Sequence, residues 1–287
     1  MITLPRVAPG NVFFGAFGQI WATTRAEIVM QWRRWGLWLT FACVTVLLFL
    51  ITVPSALFLL HPPPTSLYAR QHYTPADLNN LMTLGTTIYA AMFYGLVASL
   101  FVVDRVRRDQ RLGMVELQRA APQGAARYIL GKFLGNYVAV LIPTFLGYLL
   151  CSLITLPFGW PMVLVAKFLL AFLLVFVPSS LAAVGLTLLL ASLLPVRIVQ
   201  VGFSLLWLEF NLGLGWRVLG YSIFNPSGLY VYPVFFPTPP MQYTQPGFQT
   251  SMSQALLNIV VLLLTAIVTL FLTYGSLAFQ RHRQEGA

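Results

Sequence analysis

Six stretches of this sequence stay apolar for 20 residues or more: 36–60, 84–103, 133–156, 162–190, 199–221 and 255–279. A helix rising about 1.5 Å per residue needs roughly 20 such residues to cross a hydrocarbon layer of about 30 Å. Only 8% of the 287 residues are charged and the mean hydropathy is +0.79, whereas a soluble domain carries about 25% charged residues. Such a composition cannot build a water-facing surface, so lipid must cover most of the molecule. The expected fold is an all-α integral membrane protein with six transmembrane helices. The fourth stretch contains Pro178 followed by Ser179 and Ser180, which predicts a kink or an interruption there.

Orientation follows from the basic residues. With the N-terminus inside, Arg6, Arg25, Arg33, Arg34, the seven Lys and Arg residues from Arg105 to Lys132, and Arg197, Arg281 and Arg283 are cytoplasmic. Arg70, Lys167 and Arg217 fall on the outer side. The positive-inside rule therefore predicts that both termini are cytoplasmic. The first residues hold no run long enough for a signal-peptide core, so the N-terminus is expected to be retained. The net charge of +10 is explained by these loops, and no nucleic-acid-binding motif accompanies it. Cys43 and Cys151 lie inside apolar runs with no second ligand at metal-binding spacing, so they read as packing residues and no metal site is expected.

Residues 1–35 precede the first span and have a different pattern. Phe13, Phe17, Ile20, Trp21, Ile28, Trp32 and Trp35 recur at helical spacing, with Gln19, Thr23, Glu27 and Gln31 between them. This predicts an amphipathic helix at the cytoplasmic interface, anchored by Trp21, Trp32 and Trp35 and by Arg33 and Arg34. Residues 36–287 then form one transmembrane domain. Segment 222–253, between the last two spans, contains six prolines and six aromatic residues from Tyr230 to Phe248. So aromatic a segment is expected at the outer interface or folded back into the protein.

Ten of the 24 charged residues fall in the 29 positions from Asp104 to Lys132. The arginines at its start fix the end of the second span at the headgroups. Leu112, Met114, Val115 and Leu117 follow, bounded by Gly113 and Pro122, which predicts a short helix below the membrane with a partly apolar surface. Such a surface needs a cover. The stretch RLGMVELQRAAPQGAARYILGK resembles the first cytoplasmic loop of the ABC-2-type (type V) permeases of ATP-binding cassette transporters. Gly113, Glu116, Leu117, Pro122, Tyr128, Gly131 and Lys132 match that loop's spacing. Met114 stands where the family has Thr, and Gly124 and Ala125 replace its Ser-Arg. The resemblance extends to the amphipathic N-terminal helix, the six spans and the long last outer segment.

The resemblance implies that loop 104–132 is a coupling element docking on a separate cytosolic ABC ATPase subunit, with Arg111 and Arg127 among its coupling residues; the basic contact that Gly124 and Ala125 remove is either absent or supplied by Arg127. It also implies a second permease subunit, identical or similar, and a plasma-membrane location such as a bacterial inner membrane. Export is the implied direction. No G-x-x-x-x-G-K-[ST] occurs in the chain, so no enzymatic activity or cofactor is expected here, and ATP and Mg would be bound by the partner ATPase. Glu209, with Asn211 nearby, lies inside the fifth span; an ionisable group at that depth reads either as a point on the translocation path or as a structural group between helices. Arg217 and Lys167 are its possible partners, though both also read as snorkelling to outer headgroups. An ATP-independent secondary carrier, an embedded lipid-acting enzyme and a non-transporting permease-like subunit are the alternatives. The first would show more intramembrane acids, and the second would need paired Glu, His or Asp groups.

Overall fold

The computed structural model describes residues 10–64, 66, 73–111, 124–212, 223–237 and 250–285. Its regular structure is helical throughout: α1 Gly10–Trp32, α2 Trp35–Leu60, α3 Pro75–Arg111, α4 Ala125–Leu153, α5 Val163–Leu193, α6 Val196–Leu212, the single turn α7 Tyr232–Phe235, and α8 Met252–Glu285. Five helical stretches are long and apolar enough to cross a membrane: Trp35–Leu60, Pro75–Val103, Ala126–Phe158, Val163–Leu193 and Met252–Leu277. The chain is thus a multi-pass helical membrane protein. The fifth expected span begins as α6, but α6 is described for only 17 residues, and the rest of 199–221 lies outside the described residues.

Helices α3 and α5 form the centre and are mostly buried, while α2 and α8 cover them and expose one face each. The core between them is aromatic. Phe41 of α2 stacks on Tyr94 of α3, and Tyr148 of α4 lies 5.1 Å from Phe168 and 5.8 Å from Phe172 of α5, measured between ring centroids. In lipid, helices gain little from burying apolar area, so close backbone approach and shared hydrogen bonds do more of the holding. Gly185 of α5 accordingly faces Thr269 and Ala266 of α8 with no room for a Cβ.

Two helix starts and one interior irregularity follow from local chemistry. Helix α3 begins at Pro75, nine residues before the apolar run predicts. Thr74 and Asp77 form a reciprocal cap: Asp77 Oδ2 accepts from the Thr74 amide at 2.9 Å and the Asp77 amide donates to Thr74 Oγ1 at 3.2 Å. Ser251 and Gln254 cap α8 in the same way. In α5 the expected disturbance lies just before Pro178, as a π-turn over Phe172–Phe176. Proline lacks an amide hydrogen and its ring crowds the carbonyl four residues back. The wider π-turn opens the ladder there, and Ser179 and Ser180 donate to the carbonyls of Phe176 and Val177, both at 3.1 Å.

Candidate functional site

Of the nine predicted coupling residues, Gly113, Glu116, Leu117 and Pro122 lie outside the described residues. Arg111 is the last residue of α3. The other four, Arg127, Tyr128, Gly131 and Lys132, occupy the first two turns of α4, where the structure brings them against α1. Arg127 Nη1 donates to Gln19 Oε1 at 3.1 Å. Thr24 Oγ1 donates to the Gly131 carbonyl at 3.2 Å. Lys132 Nζ lies 3.4 Å from Glu27 Oε1, with their side chains only 8% and 4% exposed. The same ammonium reaches Tyr128 Oη at 3.4 Å.

One turn further, Gln31 Nε2 donates to Asn136 Oδ1 at 2.7 Å, and Asn136 Nδ2 donates to the Lys132 carbonyl at 2.8 Å. Trp32 Nε1 ends the series on the Ala139 carbonyl at 3.2 Å. The hydrogen-bonded pairs keep a nearly constant sequence offset of 105 to 108. Helix α1 therefore runs parallel to α4 and in register with it along the whole seam.

The seam requires small residues on α4. A Cβ at Gly131 would come within 2.8 Å of Thr23 Cβ and 2.9 Å of the Ile20 carbonyl oxygen. At Gly135 it would meet Glu27 Cβ at 2.5 Å and the Thr24 carbonyl oxygen at 2.8 Å. Gly131, Gly135 and Ala139 recur every fourth residue, the spacing that lets two membrane helices approach closely. This pattern was present in the sequence and is the signal that could have located the seam.

The interfacial anchors sort by face. Trp21 is 58% and Trp35 80% exposed, Arg33 is exposed, Arg34 is partly covered, and Trp32 turns inward to α4. The polar residues of α1 are therefore its buried stripe, and the aromatic residues mostly its outer one. This covered ion pair joins the start of α4 directly to α1.

A second structured region lies at the other end of the bundle. Between α6 and α8, residues 223–237 fold back into the protein. Tyr230, Val231, Tyr232 and Phe236 are buried, and the last three pack on Ala171 and Val175 of α5 and on Leu84 and Ile88 of α3. Asn258 of α8 holds this segment by donating to the carbonyls of Ile223 at 2.6 Å and Asn225 at 3.1 Å. Asn80 of α3 donates to the Pro237 carbonyl at 2.6 Å and accepts from Lys167 Nζ at 2.5 Å. Gly228, at φ 84°, turns where a side chain would strike Val175 and Tyr232.

Replacing Asn258 by Ala strips one buried and one partly buried carbonyl of their donor, a loss of about 1–3 kcal/mol. On a background lacking Cys43 and Cys151, maleimide should label Val231→Cys faster once Asn258→Ala is added; an unchanged rate would show that the segment is held by other means.

Lys167, read from the sequence as a headgroup or Glu209 contact, instead serves Asn80 and the Ala76 carbonyl. Glu209 is half-buried on α6, and none of the described residues pairs with it. Asn211 is 7% exposed and donates to the Trp207 carbonyl at 2.8 Å. The residue that seats α6 is one that sequence reasoning passed over, Trp207. Its indole fills the notch left by Gly95 of α3, and its Nε1 donates to the carbonyls of Ala91 and Met92 at 3.3 and 3.2 Å. Among the described residues, no group of three or more His, Cys, Asp or Glu side chains comes together. No protein-family model matches the chain, and no curated protein matches it.

Proposed function

We propose that the chain is the permease subunit of an ABC-2-type ATP-binding cassette exporter. In this reading it has six spans with both termini in the cytoplasm of a cell such as a bacterium. It pairs with a second permease subunit and is driven by a separate cytosolic ATPase that binds ATP and Mg. The observation that carries the reading is the spacing of Gly113, Glu116, Leu117, Pro122, Gly131 and Lys132.

Its support lies in how that loop is tethered. Helix α3 continues unbroken from the span to Arg111, and α4 begins at Ala125. Two long helices thus flank the loop in sequence, one of them joined to α1 through a covered charge pair. A partner pushing on such a loop moves whole helices rather than bending a hinge.

The double variant Glu116→Ala/Leu117→Asp should abolish co-purification of a cytosolic ATPase with the tagged chain and leave its yield and melting temperature unchanged. Persistence of both ATPase binding and ATP-driven transport would overturn the assignment.

A further inference from the structure

The seam turns the polar side of α1 inward, and this decides what its outer side presents. The exposed face carries Phe17, Trp21, Arg25, Val29 and Met30, and Arg33, just past the end of α1, is exposed as well. Glu27 is the only acidic residue before Asp77, and it is buried against Lys132. Every charge left on this outer face is therefore a guanidinium, set among apolar and aromatic side chains.

The face continues into the surface of a membrane span. Two residues, Arg33 and Arg34, separate α1 from α2, which packs on the same helix, α4, with Thr45 beside Gly147. The outward residues Trp35, Leu39, Val46 and Leu50 of α2 are exposed, as a lipid-facing surface should be. At the elbow Trp38 donates to the Trp32 carbonyl at 2.9 Å and lies 6.0 Å from the Trp32 ring, keeping an indole cluster at the head of the span. Indoles at that level belong at the headgroups, and guanidinium groups beside them attract anionic lipid.

We propose that the elbow between α1 and α2 is a binding site for anionic phospholipid. Arg25 and Arg33 engage the charged headgroup, with Met30 between them and Trp35 and Trp38 beside it at the same level, while Leu39 and Val46 further along α2 meet its acyl chains. The inference is independent of the coupling assignment, because it uses only the outer face of α1 and the start of α2.

The test uses the full chain in neutral detergent, titrated with brominated phosphatidylglycerol or brominated phosphatidylcholine, with tryptophan quenching as the readout. Phosphatidylglycerol should bind the more tightly, by about five-fold per participating arginine at low salt. Arg25→Gln/Arg33→Gln should abolish the difference at an unchanged melting temperature, and Trp35→Phe should reduce its amplitude. Inorganic phosphate at millimolar concentration should not compete, which separates a lipid site from a simple anion site. Equal quenching by the two lipids in the unaltered chain, as expected of a protein-docking face, would overturn the proposal. So would a preference that survives the double arginine change or is erased by phosphate.

Discussion

Replacing Lys132 by Ala should destabilise the protein by about 3–5 kcal/mol, the usual consequence of removing one member of a buried ion pair. The loss exceeds anything a surface salt bridge would give, because Glu27 remains where water barely reaches: the residue as a whole is 3% exposed. The carboxylate sits between α1 and the first turns of α4, and the removed ammonium leaves a gap beside Tyr128 Oη. Glu27→Ala should be similarly damaging, since it strands Lys132, itself 6% exposed.

The reversed pair Glu27→Lys/Lys132→Glu should recover part of the loss. Thermal melting in detergent of the wild type, both alanine changes, their double-alanine combination and the reversal supplies the comparison, and a coupling of at least 1 kcal/mol in the alanine cycle is expected for groups in direct contact. Alanine losses that simply add in the double-alanine protein, with no recovery in the reversed one, would mean that the pair contributes packing and no electrostatics. Under the coupling assignment the same variants should uncouple ATP hydrolysis from transport before they unfold the bundle. They loosen the joint between α1 and α4 but leave the α3–α5 centre untouched.

The features the sequence made legible are those set by one-dimensional patterns. Long apolar runs located five helices, Pro178 located the disturbed turn of α5, and the aromatic content of 222–253 located a segment that folds inward over 223–237. What escaped depends on which surface a side chain meets. Helix α3 starts at Pro75 because Asn79, Asn80 and Thr83 are buried by neighbouring protein, and a hydropathy average cannot distinguish protein from water as their solvent. The alternation in α1 revealed an amphipathic helix but not the direction of its faces: beside lipid, the polar stripe of Thr24, Glu27 and Gln31 is the one that turns inward. Lys132 was read as the end of a loop motif, and its partner lies 105 residues earlier, beyond any local spacing rule. Trp207 left no readable signal at all, because a tryptophan in an apolar run looks the same facing lipid as facing a glycine notch.

That notch gives the second large effect. Trp207→Ala should cost about 3–5 kcal/mol, the range for emptying a buried aromatic site. It removes the packing on Gly95, the 5.7 Å stack with Phe203 and the donor shared by the carbonyls of Ala91 and Met92. Gly95→Leu attacks the same contact from α3, since even a Cβ there would overlap the indole. The two changes should not add. Once the indole is gone the larger side chain has room, so Gly95→Leu in the Trp207→Ala background should be far less damaging than in the wild type, since volume-conserving repacking is tolerated better than a void. The measurement is a four-member melting series in detergent, with maleimide labelling of Glu209→Cys (again without Cys43 and Cys151) as a local readout of α6. Labelling should accelerate in each single variant and return toward the parent rate in the double. Independent, additive losses would mean that α6 is held to α3 elsewhere along its length, and that Glu209 owes its position to contacts other than this one.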